Sequence, residues 1–351
     1  MTARRGTPGQ RLRAVLLTAA SWAVGRLPEG PLTRLAEWAG LAWYRLAPER
    51  AAQARRNLRR VALWMTEREG MPEGVRAAST DPRALERLVR RAFRHNARYY
   101  LEVARAPRMR PRDVDARMLV ETPDVVAEAF GSERPVIFAG LHFGDLEVPA
   151  RFLAARTGAA VGPMETLADP VLQAWFERTR GAAGIRIVGL REARRELLGA
   201  LRNGHSVGLV GDRDLTGGGT LVELFGAPAM LPLGPALLAV ESGAPLYAVG
   251  VRRAGIGRYR GRVEPIDVPA EGTRRERVLV TTDRLARAYE RIIADAPEQW
   301  WAVFFPIWPD LEASSAAGAA AGATGGVNDR SPAAPPRQTA DPGPEPGRRT
   351  A

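Results

Sequence analysis

Residues 135–163 read PVIFAGLHFGDLEVPARFLAARTGAAVGP. The apolar run 135–140 predicts a strand buried on both faces, 146–157 predicts a helix, and 159–163 predicts a second strand. The alternation continues through a helix at 170–183, a strand at 185–188, a helix at 192–202 and a strand at 206–210. A helix at 234–242, strands at 245–252 and 259–263 and a last helix at 274–294 complete it. Apolar strands separated by helices call for a largely parallel sheet flanked by helices on both sides, so the fold class is α/β.

Before residue 111 the pattern is helical instead. Leu35, Trp38, Ala39, Leu41, Ala42 and Leu46 recur at three- and four-residue spacing, with Trp43 and Tyr44 beside them. Arg55, Arg56, Arg59 and Arg60 then form one basic face of a following helix, opposite Leu58, Val61 and Ala62. A further helix at 84–104 carries His95, Tyr99 and Tyr100, and His95 reads as a packed helical residue rather than a catalytic one. Beyond 310 the chain turns to Ala, Gly, Ser, Pro and Thr without apolar period, which predicts a disordered tail. The expected organisation is an α-helical N-terminal section at 1–110, an α/β core at 111–310 and the tail at 311–351.

The charge is unevenly spread. All 51 basic residues are arginine, and residues 1–105 hold 21 of them against 9 acidic residues, which accounts for the whole net charge of +12. A basic N-terminal third fits nucleic acid or an anionic membrane surface. The uncharged stretch 14–25, AVLLTAASWAVG, follows Arg11 and Arg13 and contains Trp22, yet is shorter than the roughly 20 residues a span needs. It reads as an interfacial anchor. A signal peptide shares its basic start and apolar centre, but Arg26, Pro28 and Glu29 stand where small cleavage-site residues would. Cysteine is absent, which removes disulfides, thiolate metal sites and thiol nucleophiles together.

Three polar clusters follow predicted strand ends, where open α/β sheets gather ligand-handling residues. His142 follows the first strand, Met164 and Glu165 the second, and Asp212, Arg213 and Asp214 the strand at 206–210. A histidine at a sheet mouth, with a carboxylate to orient it, is what activating a hydroxyl requires. Asp145 reaches back to His142 only through a tight loop, whereas Glu147 stands one turn into the next helix, so Glu147 is the expected partner. A plain helix-capping role for His142 is the structural alternative. Asp212-Arg213-Asp214 makes a poor metal site and reads as a salt-bridged turn. Gly217, Gly218 and Gly219 have no lysine after them and no helix start, which excludes a nucleotide-phosphate loop.

The stretch HFGDLE at 142–147 resembles the His-x4-Asp/Glu motif of bacterial glycerolipid and glycolipid acyltransferases, in the branch of late lipid A and phosphatidylinositol mannoside acyltransferases. Further resemblances occur in order: RAFRHNARYYLEV at 91–103, METLADP at 164–170, FERTR at 176–180, GDRDLTGGG at 211–219, the segment 224–249 and PEQWWAVFFPIW at 297–308. Together they cover about residues 10–310. The resemblance implies transfer of a fatty acyl group from a coenzyme A or acyl-carrier-protein thioester to a hydroxyl of a glycolipid or lysophospholipid, with no cofactor and no metal. It makes His142 the general base and Glu147 its orienting partner, without an acyl-enzyme. It implies that Glu165, Arg180, Asp212, Arg213, Asp214 and Glu223 line the acceptor cleft, and that the enzyme works at the cytoplasmic face of the plasma membrane as a peripheral or monotopic protein. Two departures bear on the acceptor: Leu221 stands where the mannoside branch tends to carry an acidic residue, and WAVFFPIW stands where relatives carry a histidine and arginines.

Two other classes fit parts of the sequence. An arginine-rich nucleic-acid-binding protein explains the basic helices but gives the later clusters no reason to converge. A catalytically silent lipid-binding relative would keep the fold and lose the transfer.

Overall fold

In the computed structural model the described residues are 7–68, 72–131, 134–215 and 217–312, and the predicted tail lies almost wholly outside them. Five helices come first: α1 (Pro8–Val24), α2 (Glu29–Leu46), α3 (Pro48–Thr66), the short α4 (Glu73–Arg76) and α5 (Pro82–Arg105). Helix α1 starts well before the apolar stretch 14–25, because Thr7 and Gln10 close a capping box there. Arg11 and Arg13 therefore lie within the same helix as the predicted anchor. Pro48 separates α2 from α3, since a proline is disfavoured inside a helix but welcome in its first turn.

The strands and their helices follow as α6 (Pro111–Arg117), β1 (Met118–Val120), α7 (Pro123–Gly131), β2 (Ile137–Gly144), α8 (Glu147–Thr157) and β3 (Ala160–Met164). Next come α9 (Pro170–Gly181), β4 (Ile185–Gly189), α10 (Ala193–Arg202), β5 (Val207–Val210), β6 (Thr220–Leu224) and β7 (Ala227–Leu231). The chain then runs through α11 (Gly234–Ser242), β8 (Leu246–Gly255), β9 (Arg258–Ile266) and α12 (Arg274–Ala294) to two 3-10 turns, Pro297–Gln299 and Trp301–Phe304.

Seven strands form one sheet in the order β1-β9-β8-β2-β5-β3-β4. Every neighbouring pair is parallel except β8 and β9, which form an antiparallel hairpin. Alternate residues of β2 enter two different cores. Ile137, Ala139 and Leu141 pack in the cluster that holds Leu238, Leu285 and Ile292 from α11 and α12, while Phe138 packs with Leu153 and Ala154 of α8. Helices on both faces explain why this strand reads as a continuous apolar run.

Helix α5 ties the helical section to the sheet. Glu102 accepts from Arg253 of β8, with Nε to Oε1 at 2.7 Å, and the Gln299 side chain bonds both backbone groups of Arg253. The basic face of α3 is largely engaged within the protein: Arg55 pairs with Glu86, Arg56 meets Gln53, and Arg60 pairs with Asp310 while lying over the Trp308 ring. His95 is half-buried, and burial, then the charges of Arg253 and its arginine neighbours, push its pKa well below the ordinary histidine value. It stays neutral inside the helical packing. The antiparallel hairpin of β6 and β7 lies outside the helix and strand pattern read from the sequence.

Candidate active site

The parallel register of β2 and β5 pairs Ile137 with Val207 and Gly140 with Val210. Continued two residues past the last pair, that register brings His142 beside Asp212. The His142 amide donates to Asp212 Oδ2 at 3.0 Å, and its ring Nδ1 meets Oδ1 at 2.7 Å. Trp300 Nε1 donates to Oδ2 as well, at 2.7 Å. Burial alone would raise the Asp212 carboxyl; the charge and hydrogen bond of His142, the Trp300 indole and the His142 amide more than offset it and hold it below the ordinary value. An ionised carboxylate at Nδ1 assigns the proton to that nitrogen, which leaves Nε2 as the acceptor facing outward.

Asp212, not Glu147, is therefore the carboxylate on His142. The expected pairing with Glu147 fails because β2 continues through Gly144, where φ is +54° and a Cβ would lie 1.9 Å from the Val251 carbonyl oxygen. Only glycine fits so close a turn, and it sends the chain into α8 with Glu147 aimed elsewhere. Glu147 is buried and accepts from Arg180 of α9, through Nε at 3.1 Å and Nη2 at 2.6 Å. Arg180 also reaches the Met164 sulfur at 3.1 Å.

The other expected residues separate into two groups. Arg213 lies over the Phe305 ring at 3.6 Å and feels the charges of Asp212 and Glu165, which brings Glu165 to the same opening. Asp214 turns away and accepts the amides of Gly217 and Gly219, so it shapes the glycine loop; the expected salt-bridged turn is two separate arrangements. Glu223 pairs with Arg287 of α12 at 3.5 Å, apart from the histidine cluster. Among the described residues no group of three or more His, Asp or Glu side chains could hold a metal ion.

The aromatic wall was assigned no role from the sequence. The Trp301 ring lies 5.7 Å from His142 and 3.8 Å from Tyr99, and its Nε1 donates to the Gly144 carbonyl. The Tyr99 hydroxyl titrates above its ordinary range, chiefly through burial and then the Glu147 charge. The doublets Tyr99-Tyr100 and Trp300-Trp301 are the signal in the sequence, since paired aromatics in helical or 3-10 segments place one ring inward and the other along the wall.

Asp145 has a separate task. Its Oδ1 accepts the amides of Glu147 at 2.7 Å and Val148 at 2.9 Å, the first turn of α8, while Oδ2 has no partner. Burial and then the Glu102 charge raise its pKa well above the ordinary carboxylate value, which Arg253 and the Val148 amide only partly offset. An acid whose folded pKa is raised weakens the fold as pH climbs from its unfolded pKa of about 3.9 toward the folded one. Asparagine keeps the acceptor and removes the charge. The stability of Asp145→Asn relative to the unchanged protein thus becomes more favourable between acid and neutral pH in chemical denaturation; a constant difference across that range would contradict it.

Beneath this cluster an apolar cavity of about 190 Å³ runs along the sheet. Its walls include Phe130, Phe138, Phe152 and Val249, Gly140 and Gly208 leave its floor open, and Arg180 stands among its lining residues. Phe138 and Gly140 of β2, Leu146 after it and Val210 of β5 all line it, so the cavity lies along the two strands that carry His142 and Asp212.

A buried carboxylate orienting a histidine, set over an apolar slot, is equipment for attack by a hydroxyl on an ester or thioester of a long aliphatic acid. Comparison with known proteins gives the class of enzyme. The phosphatidylinositol mannoside acyltransferase of Mycolicibacterium smegmatis is 28% identical over 287 residues, covering 79% of this chain and 92% of that protein. The phosphatidylinositol mannoside acyltransferase of Mycobacterium tuberculosis is 30% identical over 254 residues, covering 71% of this chain and 74% of that protein, in both strains CDC 1551 and H37Rv. Residues 9–306 match the family of the bacterial lipid A biosynthesis acyltransferase. With that match over most of its length, the chain belongs to the bacterial lipid A biosynthesis acyltransferase family and is an acyltransferase.

Proposed function

We propose that this enzyme moves a fatty acyl group from a coenzyme A or carrier-protein thioester to a hydroxyl of a glycolipid, with His142 as general base. The observation that carries the reading is the apolar cavity along β2 and β5, the two strands whose ends bring His142 and Asp212 together. The chain lies in the slot with its thioester carbonyl at the mouth. Nε2 takes the proton of the acceptor hydroxyl, whose oxygen attacks the carbonyl carbon. The carbon–sulfur bond then breaks, and the departing thiolate takes the proton from the imidazolium, so the base is regenerated. Asp212 keeps the proton on Nδ1 throughout and stabilises the charged ring between the two transfers. The Glu147–Arg180 pair stands at the mouth, where it positions the substrates without touching His142 by any hydrogen bond the structure holds.

The glycolipid class of the acceptor follows from the similarity to the mannoside acyltransferases, and Glu165 and Arg213 are the polar groups that face it. No described helix is long and apolar enough to cross a membrane. Leu12, Val15, Leu16 and Trp22 on α1 and Leu35 and Trp38 on α2 are each more than half exposed, and arginines flank them, so the enzyme approaches an anionic membrane surface through these helices from the cytoplasmic face.

The test is lipid-dependent release of free thiol from long-chain acyl-coenzyme A or acyl carrier protein by the purified enzyme, with mass spectrometry of the lipid product. No release with any glycolipid acceptor and either donor sinks the reading. Gly208 sits on the cavity floor, where an added Cβ meets the Leu153 side chain at 3.5 Å. Gly208→Leu therefore shortens the preferred acyl chain by several methylenes, each worth about 0.8 kcal/mol of burial. A chain-length profile identical to that of the unchanged enzyme would show that the chain lies elsewhere.

A further inference from the structure

A second cavity, of about 300 Å³, opens between α1, the 3-10 turn Ala106–Arg108 and α9, away from the slot under His142. Thr18, Trp22, Arg108, Trp175, Arg178 and Thr179 form its lining. Helices α1 and α9 are tied beside it by Arg13 and Asp169 at 3.0 Å, and Asp169 also caps α9.

Its charge is the feature that points to a ligand. Arg108 and Arg178 both line this opening, and among the described residues neither is ion-paired to a carboxylate. Arg26 adds a third cation, lying over the Trp22 ring at 3.6 Å and donating only to the Trp22 carbonyl. Desolvation, and then the charge of Arg108, hold Arg26 below its ordinary pKa, so the two guanidinium groups repel each other. The Arg108 stem passes close over the backbone of Gly25, where a Cβ would lie 2.1 Å from its Cδ. Two exposed guanidinium groups at one opening, with Thr179 beside them, match a phosphate oxygen set.

The surroundings identify where that phosphate comes from. Leu12, Val15, Leu16 and Trp22 follow one another along a single face of α1, exposed to solvent and adjacent to Thr18 at the cavity rim. A phosphodiester seated between Arg108 and Arg178 would have its acyl chains leaving over this apolar face, with Trp22 at the polar–apolar boundary where indoles settle. We propose that this cavity is a headgroup site for an anionic phospholipid of the membrane, separate from the acceptor hydroxyl at His142. The proposal rests on the reading of α1 as a membrane face. It turns general attraction into recognition of one headgroup phosphate, which would set the depth and tilt at which the acyl slot meets the bilayer.

Co-sedimentation of the full chain with vesicles tests it, using phosphatidylcholine alone and phosphatidylcholine doped with phosphatidylinositol at physiological salt. The unchanged enzyme binds the anionic vesicles more tightly, and Arg108→Gln with Arg178→Gln reduces that preference about tenfold or more, as expected for two charges at the lipid surface. Thr179→Glu, which puts a carboxylate into the cavity, reduces it too and guards against a folding defect in the double variant. Arg202→Gln with Arg275→Gln removes the same charge from exposed positions on α10 and α12 and leaves the preference within about threefold. Equal losses in the two double variants would mean bulk charge and overturn the site, as would an undiminished preference in Arg108→Gln with Arg178→Gln. A higher KM for acyl-coenzyme A with unchanged vesicle binding would assign the cavity to the donor's phosphates and overturn it also. No binding to either vesicle removes the membrane reading and this site together, whereas acyl transfer to a detergent-dispersed acceptor still reports separately on the His142 reading.

Discussion

His142→Gln lowers acyl transfer by about 10²–10⁴-fold, the usual contribution of a positioned general base. Folding is retained, because the ring stands at the end of β2, partly open to solvent, and its backbone amide still donates to Asp212. The loss appears in kcat at saturating donor and acceptor, since the amide of glutamine takes the same space but cannot carry the hydroxyl proton to the leaving thiolate. Circular dichroism and Tm close to those of the unchanged enzyme are the necessary controls. Turnover within about threefold of normal, well short of a general base's contribution, would mean that another group takes the proton and would sink the assignment.

Asp212→Asn produces a loss of similar order, about 10²–10⁴-fold, for a different reason. One carboxylate oxygen accepts from Trp300 Nε1 and the His142 amide, and the other faces Nδ1. An asparagine must keep its carbonyl toward the two fixed donors, so its amino group faces Nδ1. The imidazole then carries its proton on Nε2, where it can no longer take one from the acceptor. Geometry is preserved and chemistry is lost. Glu147→Gln separates the two carboxylates: it leaves Arg180, mostly buried, without its counter-charge and lowers Tm, while the tautomer of His142 is untouched. Should Glu147→Gln match the kcat loss of Asp212→Asn at unchanged Tm, with Asp212→Asn near normal, Glu147 would be the orienting group after all.

Much of the architecture was legible because local chemistry and burial coincide. The run 135–140 is apolar throughout, as a strand covered on both faces must be, and α12 follows the periodicity read at 274–294. The hairpin of β6 and β7 was not, since it sits between a glycine loop and a helix and alternates only weakly. Helices α6 and α7 are short and polar at their starts, and they too carry little period. Within the site, His142, Arg180, Asp212, Arg213 and Glu165 could each be singled out by residue type and by position after a strand or on a matched block, whereas the contacts between them could not.

By itself the sequence determined the α/β class, the helical section before it, the strand that delivers His142 and the membership of an acyltransferase family. These depend on periodicities of two and 3.6 residues and on ordered blocks, both local properties of a chain. The tertiary structure alone decided which carboxylate serves the histidine. Asp212 reaches His142 across 70 residues through the register of two parallel strands, and Glu147, five residues away, is turned toward α9 by the tight backbone at Gly144. Nearness in sequence is limited by backbone direction, while hydrogen-bonded strands a few ångströms apart bring distant residues side by side.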